Sequence, residues 1–177
     1  ALIPSIANSI FAETVQGLAD ALQGSGCELL LASTGYSVER EEEQLRALLG
    51  WFPSALVVTG RRHTPAALAL LRQAQARGTP VIEIWDHHPE PGAESFTQIG
   101  FDHEQVGRAM AEHLIERGYR SLAYVDSGVA EDFRADGRGN GFLAAARHAG
   151  LFSRCCARSA SAAACRAGAG RRSAWSG

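Results

Sequence analysis

Polar and cationic side chains that could hold a small anion occur in two places on this chain. Near the amino end, Asn8 and Ser9 are residue types that cap helices, and Phe11 opens an apolar stripe of helical spacing. The first amides of a helix point outward and attract an anion such as a carboxylate. Farther along, Arg138 offers a planar guanidinium that can hold a carboxylate or paired hydroxyls. These residues indicate a site for a small anionic or polyhydroxyl ligand.

Structural interpretations compete with the binding interpretation at the amino end. A helix cap alone explains Asn8 and Ser9 equally well. Phe11 is a residue type that packs in a core more often than it contacts a ligand. The sequence by itself leaves these alternatives open.

The elements that must position these residues follow a regular alternation. Short apolar runs of the kind that suit a parallel sheet covered on both faces occur at residues 1–3, 27–32, 55–59, 81–85, 97–101 and 121–125. Helical patterns occur at residues 11–22, 39–49, 65–77, 102–117 and 138–149. This order predicts right-handed crossovers into a parallel sheet, and therefore an α/β fold.

Several local signals fix the predicted helix ends and faces. Thr64-Pro65 is a helix start, and Gly78 ends that helix. Asp102 with Gln105 forms a capping box for the next helix. The residues of that helix expected to face inward are Val106, Met110, Leu114 and Ile115.

Two loops interrupt the alternation. Pro89, Pro91 and Gly92 predict a loop over residues 86–96, and residues 126–137 form a second, charged loop. The β-α rhythm resumes after the first loop, as when a chain leaves one lobe and starts another.

Ligands of open α/β sheets bind beyond the carboxyl ends of the strands. Here the predicted ends are residues 5–11, 33–37, 59–63, 85–86 and 126–138. Trp85 and Asp86 are candidates for the floor of a cleft. Alternatively, Trp85 belongs to the core. His87-His88 lacks a third ligand nearby, so an exposed loop is expected there and no metal site is predicted.

Composition excludes several classes of function. The 177 residues suit one domain or two small lobes, and no apolar run reaches the ~20 residues of a membrane span. Residues 1–153 hold 12 arginines against 19 acidic residues, a net charge of −7, so no nucleic-acid face is expected. The four cysteines match no common zinc spacing.

The last segment, residues 152–177, differs from the rest. It consists largely of Ala, Arg, Ser, Gly and Cys without a clear period, which is typical of a flexible low-complexity tail. A short alanine-rich helix near residues 157–167 is an alternative. A further hypothesis is out-of-frame translation of a GC-rich gene, and resequencing the DNA near codon 151 tests it.

Motifs along residues 1–151 resemble the effector domain of lactose-repressor (LacI) family regulators. The matching segments are residues 3–13 (IPSIANSIFAE), 100–102 (GFD), Gly107, 112–119 (EHLIERGY) and Arg138-x-x-Gly141-Phe142. Residues 63–65 and 78–86 resemble the gluconate-utilisation repressors of that family more closely. The resemblance stops beyond Leu151.

The resemblance implies a fold and a set of domains. The fold is a periplasmic-binding-protein-like parallel-sheet lobe, residues 1–101, followed by the incomplete start of a second α/β lobe, residues 102–151. Family members bind a small sugar or sugar acid between two lobes, as homodimers in the cytoplasm. They contact operator DNA through a helix-turn-helix headpiece that precedes the effector domain and is expected to be missing here.

The resemblance also implies site residues. It places a ligand-binding arginine at Arg138, and this agreement of motif and location favours ligand contact over a surface salt bridge. Asp132 and Arg134 match binding positions in the preceding loop, and Gln105 matches one on the helix after Asp102. No cofactor and no membrane partner are implied.

Two other function classes remain open at this point. A periplasmic sugar-binding protein would share the lobes but carry an export signal upstream instead of a headpiece. An enzyme of flavodoxin-like architecture is disfavoured, because the sequence has no glycine-rich phosphate loop, nucleophile elbow or carboxylate pair at a sensible spacing. We therefore expect no catalytic residues.

Overall fold

The chain divides into two compact units, one from Ala1 to Asp102 and one that begins at His103. The computed structural model describes residues 1–60, 62–87, 96–126, 132–151 and 153–157. The elements of the first unit are β1 (Leu2–Ile3), α1 (Ser9–Leu22), β2 (Ala32–Ser33), α2 (Val38–Leu49), β3 (Leu56–Thr59), α3 (Pro65–Ala76), β4 (Val81–Asp86) and β5 (Thr97–Phe101). Those of the second unit are α4 (His103–Glu116), β6 (Leu122–Asp126), α5 (Phe133–His148) and β7 (Ser153–Ala157).

The described strands of the first unit form one parallel sheet in the order β2-β1-β3-β4-β5, which confirms the predicted α/β fold. The chain moves to one side from β1 to β2 and to the other side from β2 to β3. Right-handed crossovers therefore put α1 on one face of the sheet and α2 and α3 on the other. In such sheets the ligand crevice lies where the strand order reverses, here at the carboxyl ends of β1 and β3.

The core of the first unit lies between the sheet and the helices α2 and α3. It is built from the buried residues of β1, β3 and β4 and from the apolar stripe that each helix offers. Its buried members are Leu2, Leu45, Leu48, Leu56, Val58, Ala67, Leu71, Ala74, Val81 and Phe96. The predicted loop at residues 86–96 thus contributes Phe96 to the core, while residues 88–95 lie outside the described part of the chain.

Helix ends in the first unit follow the local sequence signals. Ser37 Oγ accepts a hydrogen bond of 3.2 Å from the Arg40 amide and caps α2. Thr64 Oγ1 accepts one of 3.0 Å from the Ala67 amide, and Pro65 is the first residue of α3, as predicted. Gly78, with φ of 92°, ends α3 in the left-handed conformation that glycine adopts without strain.

The predicted strand at residues 27–32 is wrong in extent, since β2 covers Ala32 and Ser33. Its partner β1 is equally short, and the Ala1 amino group already bonds the Leu30 carbonyl at the end of the pairing. β2 is also the edge strand, so one side of it has no neighbour in the sheet and Leu30 is 43% exposed. The apolar run at residues 27–32 therefore does not form a strand that is covered on both faces.

The second unit packs α4 and α5 beside a parallel pair of strands, β6 and β7. Its core contains Ala111, Leu122, Tyr124, Phe142, Ala145 and Ala146, with Leu114, Ile115, Leu143 and Leu151 packed against it. Ala111, rather than Met110, faces inward from α4. Met110 is 45% exposed, so this one member of the predicted inward face is wrong.

Two further predictions for the second unit are wrong. α5 begins at Phe133, five residues before the predicted start at Arg138, because Asp132 caps a first turn that was assigned to the charged loop. Residues 153–157, assigned by composition to a flexible tail, form β7 and pair with β6 from Leu122 to Asp126. The backbone pairing, which any residue type can make, outweighs the weak composition signal. Residues 158–177, which include most of the proposed alanine-rich helix, lie outside the described residues.

Candidate functional site

The predicted site residues fall in both units, and each group is described within its own unit. Asn8, Ser9 and Phe11 belong to the start of α1 in the first unit. In the second unit, Gln105 belongs to α4, Arg134 and Arg138 belong to α5, and Asp132 caps α5.

Asn8 is the cap of α1, as its residue type predicts. Its Oδ1 accepts a hydrogen bond of 3.3 Å from the Ile10 amide, while its carbonyl accepts bonds from the Phe11 and Ala12 amides. Its Nδ2 donates to the Tyr36 hydroxyl over 3.4 Å. Ser9 is the first residue of α1 and is exposed. The start of α1 therefore presents backbone amides and small polar side chains at the carboxyl end of β1, an arrangement that attracts an anion.

Phe11 is a core residue and is 4% exposed, in line with the structural interpretation. Its ring meets the Trp85 ring edge to face, with centroids 5.7 Å apart. Trp85 meets Phe101 in the same way at 6.0 Å, so an aromatic row joins α1 to the ends of β4 and β5. The sequence did not predict this row, because its members are far apart along the chain.

Trp85 is held in an unusual backbone conformation at the end of β4. Its φ is 75°, in the left-handed region that bulky residues rarely adopt, and such strain costs on the order of 1–3 kcal/mol. Its Nε1 donates a hydrogen bond of 3.1 Å to Thr14 Oγ1, which in turn donates to the Ile10 carbonyl over 3.2 Å. Strain of this kind concentrates at functional sites, so the position supports a cleft-shaping role for Trp85 alongside its packing.

Gly100 lets β5 approach this strained residue closely. A Cβ at Gly100 would lie 2.4 Å from the Asp86 nitrogen and 2.5 Å from the Trp85 carbonyl carbon, which no side chain permits. Asp86 is 1% exposed, so the carboxyl end of β4 carries a buried acid next to the aromatic row.

Arg138 lies in α5 and is partly buried. Its Nη1 donates to Nδ1 of His103 over 2.9 Å, and His103 is 9% exposed. A guanidinium has five N–H donors, so one bond to an imidazole leaves capacity for a carboxylate. The bond also fixes the direction of the side chain, which favours binding over a flexible surface position.

Arg134 lies in the first turn of α5 and Asp132 directly precedes this helix, which corrects their predicted setting in a loop. Asp132 caps the helix, with Oδ1 accepting a bond of 3.3 Å from the Ala135 amide. Arg134 is 6% exposed, and its guanidinium carbon lies 4.6 Å from the centre of the Phe133 ring. Both side chains therefore have structural partners, and their ligand contact stays a prediction.

Two glycines set the geometry of the α4–α5 pair that carries the remaining residues. A Cβ at Gly107 would lie 1.9 Å from the Arg138 carbonyl oxygen, and one at Gly141 would lie 1.9 Å from the Glu104 carbonyl oxygen. The helix backbones therefore touch at two points. This contact holds Arg138 against the first turn of α4, where His103 and the exposed Gln105 lie.

Among the described residues, no group of three or more His, Cys, Asp or Glu side chains is arranged to hold a metal ion. His87 is exposed, as expected, while His88 lies outside the described residues. In the described part of the chain, none of the helices combines the length and apolar character needed to cross a bilayer.

Comparison with known proteins identifies the family. A family profile described as periplasmic binding proteins and the sugar-binding domain of the LacI family matches residues 1–163. This match reaches 12 residues beyond Leu151, where the sequence resemblance was expected to stop. The added residues include β7, in agreement with the structure.

Individual relatives agree with the profile. The chain is 35% identical over 150 residues to the helix-turn-helix-type transcriptional regulator GntR of Escherichia coli K12, covering 85% of this chain and 43% of that protein. It is 36% identical over 151 residues to GntR of Pseudomonas aeruginosa, with coverages of 85% and 42%. The chain thus spans less than half the length of these curated relatives.

A solved structure shows the same fold. A LacI-family transcriptional regulator from Silicibacter pomeroyi superposes with a TM-score of 0.78 at 30% identity. The match covers 89% of this chain and 46% of that one.

Proposed function

Because this chain belongs to the family of periplasmic binding proteins and LacI-type sugar-binding domains, we propose that it is the effector-binding part of a transcriptional regulator. Its ligand is a small sugar or sugar acid. The observation that carries the proposal is the capped start of α1 at the carboxyl end of β1, where the strand order of the sheet reverses. No catalytic role is proposed, since the similar proteins are named as regulators.

A sugar acid fits the chemistry of the proposed site better than a neutral sugar. The amides at the start of α1 favour negative charge, and Arg138 supplies a guanidinium held in direction by His103. Hydroxyl groups would bond the small polar side chains at Ser9 and Gln105, with Asp132 and Arg134 as further candidates. Gluconate is the specific ligand proposed, in line with the resemblance to gluconate-utilisation repressors.

Regulation would follow from differential affinity. A ligand that binds one arrangement of the two lobes better shifts the population toward it, and in this family such a shift changes the DNA affinity of paired headpieces. The proposal therefore includes a homodimer and operator DNA bound through a headpiece outside this chain. A protein that acts on an operator works in the cytoplasm, so that location is part of the proposal.

Calorimetry with two matched ligands tests the proposed ligand class. A full-length version of the protein is titrated with D-gluconate and with D-glucitol, which replaces the carboxylate by a hydroxymethyl group. Charge-assisted hydrogen bonds are worth roughly 1.5–3 kcal/mol, so gluconate should bind about ten- to a hundredfold more tightly. Equal affinities, or binding of glucitol alone, would contradict the sugar-acid assignment.

A transport-related sugar-binding protein is the second candidate, because the matched family includes periplasmic binding proteins. The two functions differ in the segment encoded upstream of residue 1. A helix-turn-helix segment there supports the regulator, whereas an export signal supports the periplasmic protein.

A further inference from the structure

The first unit contains a buried group of charged side chains that the proposed ligand site does not use. His63 lies in the connection between β3 and α3, Glu41 lies in the first turns of α2, and Glu83 lies in β4. The side chains are 3%, 8% and 5% exposed, respectively. The three residues come from separate stretches of the chain, so local sequence patterns did not predict this cluster.

The geometry of the cluster favours a protonated imidazole. His63 Nδ1 lies 2.8 Å from Glu41 Oε1, and Nε2 lies 3.2 Å from Glu83 Oε1. A neutral imidazole has one N–H and one lone pair, so it can donate to one carboxylate but must oppose the other. When both glutamates are ionised, the imidazolium alone satisfies both contacts, because it donates from each ring nitrogen. Gln98 of β5 adds an amide donor, 2.5 Å from Glu83 Oε2.

The pKa of His63 agrees with this geometry. Burial of the ring opposes protonation, but the hydrogen bonds and negative charges of Glu41 and Glu83 outweigh it and raise the pKa to about 9. The charged groups that contact the ring come from α2 and β4, and the partner from β5 to Glu83 is a neutral amide.

We propose that His63 is a positioning residue whose buried imidazolium ties α2, the connection after β3 and β4 together beside the point where the strand order reverses. Residues 62–64 precede α3 and follow the carboxyl end of β3, one of the two strands that flank this point. His63 itself is too buried to touch a ligand. Its role is to fix the backbone of this connection, whichever ligand the protein binds.

The proposal predicts a specific dependence on pH. A histidine whose pKa is higher in the folded state stabilises the fold fully below its unfolded value of about 6.5. This contribution is lost as the pH rises from there through about 9. The free energy of unfolding of the first unit should therefore fall as the pH rises from about 6.5 through about 9.

Nuclear magnetic resonance of the unaltered 177-residue chain tests the protonation state directly. Two-bond ¹H–¹⁵N correlation spectra of the imidazoles are recorded from pH 6 to 10.5, and variants of the exposed histidines, such as His148→Gln, assign the other signals by removal. Two protonated ring nitrogens at pH 7.5 and a midpoint near 9 are expected for His63. A His63 ring with one protonated nitrogen at pH 7.5 would overturn the proposal.

Urea unfolding of His63→Gln, followed by tryptophan fluorescence, gives the second test. Glutamine keeps one hydrogen-bond donor but not the charge. At pH 6 the equilibrium constant for folding of the wild type should exceed that of the variant by on the order of 10²-fold. This ratio of equilibrium constants should shrink toward one by pH 10. A ratio that is the same at both pH values would show that His63 acts by packing alone. His148→Gln is the control, and its ratio to wild type should show no comparable pH dependence.

Discussion

Asn8 illustrates how one residue can serve both a structural and a binding role. Its side chain caps α1 and contacts Tyr36, so the structural role is present in the fold. The binding role depends on what the capped amides attract. Substitutions that keep the cap but change its charge separate the two roles.

Asn8→Asp and Asn8→Ser form a matched pair for this purpose. Aspartate and serine both cap helices well, so each variant should keep the free energy of unfolding within about 1 kcal/mol of wild type. Aspartate also adds a negative charge where the anion is proposed to bind. Gluconate binding by a full-length version should therefore fall at least about tenfold in Asn8→Asp and change little in Asn8→Ser, as measured by calorimetry.

Loss of affinity in both variants would instead assign the effect to the amide group of Asn8. Unchanged affinity in both would remove the start of α1 from the site.

At the scale of elements, the α4–α5 pair depends on two positions that accept no side chain. Gly107 faces the Arg138 backbone and Gly141 faces the Glu104 backbone. Arg138 is proposed to bind the carboxylate of the ligand. The two glycines therefore position this arginine as well as allow the helices to pack closely.

Gly107→Ala and Gly141→Ala should each destabilise the second unit by roughly 1–3 kcal/mol or more, because the added methyl group collides with a helix backbone that cannot move freely. Gly17→Ala is the control. Gly17 is exposed in α1 with nothing within 4 Å of an added Cβ, and alanine there should stabilise the fold by up to ~1 kcal/mol. Thermal unfolding monitored by circular dichroism measures all three variants. Equal effects at the three positions would contradict the close helix contact.

The sequence predicted elements better than it predicted their contacts. Caps at Asn8 and Thr64 and the apolar runs that became β3 and β4 depend on neighbouring residues, so they could be read locally. The short β2 and the pairing of β7 depend on which strand lies alongside, which local patterns do not encode.

The candidate site shows the same division. The cap at Asn8 was predicted, whereas the bond between Trp85 and Thr14 joins residues 71 positions apart and was not. The His63 cluster escaped prediction for the same reason, since its carboxylates come from two separate elements.

For the molecule as a whole, we propose a regulator that responds to the concentration of a metabolite. Its family supplies two lobes with a ligand between them. Residues 1–153 are acidic overall whereas the proposed ligand is an anion, so its binding depends on local positive groups such as Arg138. The central claim is therefore that the guanidinium of Arg138 holds the carboxylate of a sugar acid.

Calorimetric titration of D-gluconate into full-length wild type, Arg138→Gln and Arg147→Gln tests this claim most directly. Arg147 is an exposed arginine on the same helix and controls for the loss of one positive charge. We expect Arg138→Gln to weaken gluconate binding by about ten- to a hundredfold, whereas Arg147→Gln should stay within about twofold of wild type. An Arg138→Gln variant that remains folded and binds gluconate as tightly as wild type would contradict the claim.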